Sequence, residues 1–276
     1  MPVRNPDYMD PASAYVRGMS ATAENPSATP EQVFGRILCV TDLSDGGAEA
    51  VRQAAVLAGP GRTIDLVSVA PRRGPGEPHP QAEQIEALVA GTGLAVEQAV
   101  SSTVHIVEAT DEPSGVLERG AGHDLVVMAA GDAGLEVLRG TSPSLLLART
   151  PPRGSSFPES LLVAVDGSAE SYAAAGLAAR LAARHRAIVT LVSTPEHDAS
   201  HQHALQRDID AVERITGTRP LVLDEHRGAV PSIVAAADTV QACMIVLGRR
   251  RAHASHSVSE EVAGAAPCSV LVVRPG

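Results

Sequence analysis

The chain has 276 residues, 44% apolar but only 2% aromatic and without tryptophan, so any core must be aliphatic. All 22 basic residues are arginine, and a chain with no lysine has neither a Gly-Lys-Ser/Thr phosphate loop nor a lysine Schiff base. A net charge of −10 opposes general nucleic-acid binding.

Residues 1–34 are poor in apolar side chains and rich in Pro, Ala, Ser and Asn, the composition of a disordered arm. Short runs of Val, Ile and Leu then fall near 36–42, 63–70, 104–109, 124–130 and 144–149. A second series falls near 160–166, 187–194, 219–224, 243–248 and 269–274. Runs of this length, bounded by turn residues, predict buried parallel strands. Between them lie helix-period stretches, such as 200–216 with Leu205, Ile209, Val212 and Ile215 on one face, and 229–241 with Val230, Ile233, Val234 and Ala237. Strand–helix alternation predicts a doubly wound α/β sheet. No apolar run approaches the roughly 18 residues of a membrane span.

The two series are an internal repeat. A shift of 124 carries Asp42 onto Asp166, Ser44 onto Ser168 and Ala54-Ala55 onto Ala178-Ala179. At the far ends Ser144–Arg149 (SLLLAR) matches Ser269–Arg274 (SVLVVR). The domains are therefore expected at 35–149 and 159–276, with the Pro/Gly/Ser stretch 150–158 as linker.

Val163–Ser168 (VAVDGS) before an Ala-rich helix resembles the opening of universal stress protein domains, and Ala266–Arg274 (APCSVLVVR) resembles their closing strand. In the first repeat Asp124–Met128 resembles the family's fourth strand, and Val137–Arg149 its last helix and strand. The resemblance covers nearly all of 34–276 as two copies. It implies two doubly wound, five-stranded parallel sheets of order 3-2-1-4-5. It also implies fifth strands that pair across a dimer, here within one chain, and in many members ATP at the C-terminal ends of strands 1 and 4.

ATP-binding members carry Gly-x-x-Gly, about nine residues, then Gly-Ser/Thr. Glycines let backbone N–H groups approach phosphate, and the Gly-Ser opens a helix whose N-terminus favours an anion. In the second repeat Asp166, Gly248, Ser257 and Val258 match this pattern. Arg251 stands at the second glycine, His256 replaces the glycine before Ser257, and the loop is about five residues short. Arg249, Arg250 and Arg251 could pair with phosphate and offset those losses, or be a solvated loop. The first repeat keeps only Asp42 and a vestigial Gly131 in GDAG; Ala129 stands at the first glycine, and Asp132 near a helix start opposes phosphate. Asp166-Gly167-Ser168 also reads as a helix-capping turn. His197, His201 and His203 have partial metal spacing but lie in a polar loop entering a helix, so no metal is assigned. His253 and His256 flank the short loop.

The three cysteines, Cys39, Cys243 and Cys268, form no CxxC and fit a reducing compartment, and no apolar leader opens the chain. The expectation is a cytoplasmic, noncatalytic stress-response regulatory or scaffold protein with degenerate nucleotide sites. It would act on a protein partner as an intrachain pseudo-dimer, with further homodimerisation open. The alternative is an adenine-nucleotide sensor that binds ATP through the second domain only.

Overall fold

The structure, a computed structural model, describes residues 32–71, 101–109, 111–193, 199–224, 228–249 and 257–274. In the first half, strands β1 (Ile37–Val40), β2 (Thr63–Pro71), β3 (Ser101–Ala109), β4 (Leu125–Ala129) and β5 (Ser144–Ala148) occur with helices α1 (Asp45–Ala58), α2 (Glu112–Gly120) and α3 (Asp132–Gly140). The second half has β6 (Ser160–Val165), β7 (Ile188–Ser193), β8 (Leu221–Asp224), β9 (Met244–Gly248) and β10 (Ser269–Val273). Its helices are α4 (Ala169–His185), α5 (Ala199–Thr216), α6 (Ala229–Thr239) and α7 (Val258–Ala265).

Each half has the expected strand order 3-2-1-4-5, and the fifth strands join the two five-stranded sheets edge to edge. The order runs β3-β2-β1-β4-β5-β10-β9-β6-β7-β8. All pairings are parallel except β5–β10, which is antiparallel. The physical reason is that β5 and β10 are buried along their whole length, and a bare edge there would leave backbone donors and acceptors unpaired. Leu146 pairs with Leu271, flanked by Leu147–Val270 and Leu145–Val272. Because a shift of 125 relates Ser144 to Ser269, Leu146 and Leu271 are equivalent positions, and a pseudo-twofold axis passes between them.

The helices cover both faces. On one face the alanines of α1 and α4 lie against the sheet together with Ile209 and Val212 of α5. Alanine lets those helices approach closely, which suits a core with few aromatics. The other face is covered by Val116 of α2, Val137 and Leu138 of α3, Ile233 of α6, and Val262 and Ala263 of α7. Phe34 and, before β6, Phe157 are both buried in the first of these cores. No helix among the described residues is long and apolar enough to cross a membrane.

Candidate functional site

The C-terminal end of strand 1 in each half meets the N-terminus of the following helix, where the order of strands reverses. In the first half Asp42 Oδ1 accepts from the Ser44 amide at 3.0 Å and from its hydroxyl at 2.6 Å. Ser44 Oγ accepts from the Gly47 amide at 3.1 Å, capping α1. Asp42 therefore ties a turn, as a short carboxylate does. Glu112, at the start of α2, has its carboxyl pushed up by burial and then by the negative charge of Asp42. The negative charge of Asp42 thus acts on a second carboxyl at this end of the half, and such a charge opposes an added anion. Gly131 is the N-cap of α3, whose first residue is Asp132; no room remains there for a phosphate loop.

The second half repeats the turn. Asp166 Oδ1 accepts from the Ser168 amide at 3.0 Å, and Ser168 Oγ accepts from the Ser171 amide at 3.1 Å as the cap of α4. Helix α5 lies directly over this turn. A Cβ on Gly167, whose φ is +78°, would come within 2.9 Å of Ala204 Cβ. Arg207 pairs with Asp208 at 3.1 Å, reaches the carbonyls of Gly167 and Ser168 at 3.5 Å, and stacks 4.6 Å from the centre of the Tyr172 ring. Asp208 is fully buried, and burial pushes its carboxyl up against the opposing pull of Arg207. Ser171 donates to it at 3.4 Å. Sequence reasoning missed this group. The available signal was an acid at position 208 within the apolar stripe of Leu205, Ile209 and Val212.

Gly248 is a glycine for a reason that involves no ligand. A Cβ there would meet the Glu170 carbonyl carbon and oxygen at 2.3 Å and the Ser171 nitrogen at 2.7 Å. The end of β9 thus touches the backbone of α4. At the equivalent contact in the first half the glycine sits on the helix instead, with Gly46 facing Ala129.

Arg249, a candidate phosphate ligand by sequence, is bonded within the protein. Its guanidinium donates to the Leu138 carbonyl of α3 and pairs with Glu260 at 3.4 Å, with 10% of the side chain exposed. Arg139 of α3 holds the other oxygen of Glu260 at 3.2 Å. The side chain is committed to the join between the halves. Ser257 accepts from the Glu260 amide at 3.3 Å and caps α7, whose first residue, Val258, is exposed. Arg250, Arg251, His197, His253 and His256 lie outside the described residues. His201 meets Ser193 Oγ at 2.8 Å, and among the described residues no cluster suited to a metal ion occurs. Burial pushes the Cys268 thiol up to about 12, so it is inert as a nucleophile.

Residues 193–274 match the Universal stress protein family. The match runs from the end of β7 through β10, taking in Gly248, Ser257 and Val258 but leaving the Asp166 turn outside it. No curated protein matched the sequence. Among solved structures, a universal stress protein from Archaeoglobus fulgidus is 18% identical with a TM-score of 0.70, over 89% of this chain and 97% of that one. A functionally unknown protein from Pseudomonas aeruginosa is 17% identical with a TM-score of 0.62, over 88% and 94%. The cytoplasmic domain of a prokaryotic cation chloride cotransporter is 12% identical with a TM-score of 0.55, over 86% and 94%. At these identities the likenesses establish the fold: a tandem of universal stress protein folds joined through their fifth strands.

Proposed function

We propose that this chain is a noncatalytic universal stress protein of the tandem type, a regulatory or scaffold protein whose nucleotide sites have degenerated in both halves. The observation that carries this reading is the commitment of Arg249. Of the three arginines that could offset the lost glycines, Arg249 is bonded instead to Leu138 and Glu260. The Asp42–Glu112 repulsion supports the same reading in the first half. Each charged hydrogen bond lost from a phosphate site removes roughly 1.5–3 kcal/mol, and about 1.4 kcal/mol is tenfold in affinity. Loss of two such contacts takes a micromolar site to millimolar. The work left to the chain is then recognition of a protein partner.

Calorimetric titration of the nucleotide-stripped protein with ATP, with and without magnesium, tests the reading. The expected result is no heat at millimolar ATP and no thermal shift. Micromolar binding at one site per chain would overturn it in favour of a sensor acting through the second half.

A further inference from the structure

We infer that the join between the halves is keyed by side-chain size to unlike halves: the first supplies the large residues, the second the small ones. On the face covered by α3 and α7, Leu145 and Leu147 of β5 lie opposite Val272 and Val270 of β10. The same exchange runs through the helices above them. Leu138 of α3 corresponds to Ala263 of α7, and Leu135 packs toward Gly264, whose own equivalent is Arg139. All four strand residues and both Leu138 and Ala263 are buried, so their volumes cannot be absorbed by solvent. Pairing two first halves would set leucine against leucine on both sides of the axis and crowd Leu135 against Arg139 where Gly264 now gives room. Pairing two second halves would leave valine against valine under alanine, a void. Crowding and voids are each destabilising in close-packed cores.

Polar groups add to the key. The Arg139–Glu260–Arg249 group occurs on one side of the axis, and its equivalents on the other side are Gly264, Leu135 and Ala130. Buried Gln53, which accepts from Ser269 at 2.9 Å, is matched by Leu177. On the opposite face Leu146 and Leu271 sit on the axis and are neutral to the choice. An inversion, Ala148 where the second half has Val273, lies beyond these three pairs. The partner this surface fits is therefore the other half of the chain, and a second copy's like half is excluded.

Three variants of the intact chain test this by thermal unfolding. Val270→Leu with Val272→Leu makes both sides large, and Leu145→Val with Leu147→Val makes both small. Each is expected to lower the unfolding midpoint by about 5 °C. The fourfold variant transposes the sizes and is expected to regain at least half of the summed loss. A fourfold variant as unstable as the sum, or one that fails to fold, overturns the proposal. A second readout uses the chain with a protease site inserted at Gly154, which is exposed and has open space around it. After cleavage and mixing with an isotope-labelled copy, native mass spectrometry is expected to show unlike pairs alone. Like pairs at comparable abundance would overturn it too.

Discussion

Arg149 and Arg274 make the same bond across the pseudo-twofold axis: Arg149 donates to the Ala263 carbonyl at the end of α7 at 2.6 Å, and Arg274 to the Leu138 carbonyl near the end of α3 at 3.0 Å. Each half closes with an arginine that ties the last helix of the other. A cation at a helix C-terminus is favourable both as a hydrogen-bond donor and against the helix dipole. The two bonds are not equivalent in cost. Arg149 also serves the Cys268 carbonyl at 3.3 Å, whereas Leu138 keeps Arg249 as a donor when Arg274 is removed. Arg149→Ala is expected to cost about 2 kcal/mol and Arg274→Ala about half of that. Urea unfolding at neutral pH checks the order, and equal losses would show that the second donor to Leu138 does nothing.

Gly248 and Gly176 should respond in opposite directions to alanine. At Gly248 the added Cβ meets the backbone of α4, which cannot yield like a side chain, so a loss of about 3 kcal/mol is expected. Gly176 lies inside α4 with open space around it, so alanine there should stabilise by about 0.5–1 kcal/mol through helix propensity. Differential scanning calorimetry without nucleotide suffices. A neutral Gly248→Ala would remove the packing explanation and return that glycine to a ligand role.

Asp166 and Ser168 separate a structural turn from a binding residue. Ser168→Ala removes the cap of α4 and should cost about 1 kcal/mol. Asp166→Ala should lower stability as well, and the two together should cost less than the sum because they hold one turn. An Asp166→Ala chain of unchanged stability would contradict the turn role.

His185, in the last turn of α4, is pushed down to about 4 from its ordinary 6.5, first by burial and then by the positive charge of Arg184. The unfolded chain takes up this proton near 6.5, while the folded one resists until about 4. Stability contributed by the neutral form is therefore complete above 6.5, falls as the pH drops, and levels off below about 4. His185→Gln should flatten that part of the profile, measured as the urea midpoint in small pH steps. Parallel curves for the two proteins would show that His185 does not contribute.

Much of the architecture was written in short-range pattern. Strands such as β4 and β10 are short apolar runs between turns, and α5 shows its buried face in Leu205, Ile209 and Val212. The Asp-x-Ser turns were legible too, because a cap acts over three residues, and the fifth-strand pairing was expected only through the resemblance to universal stress proteins. The destination of a long side chain is another matter. Arg249 follows the glycine ending β9 and read as a phosphate ligand, yet its partners, Leu138 and Glu260, are 111 and 11 residues away. The meeting of Glu112 with Asp42, and of Gly248 with the backbone of α4, likewise depends on which helix covers which strand end. Periodicity reports which face of an element is buried, and caps report where it starts. Charge pairing across elements is set only once the sheet is assembled, so the sequence determined the tandem α/β fold, and tertiary packing decided how the candidate site residues were used.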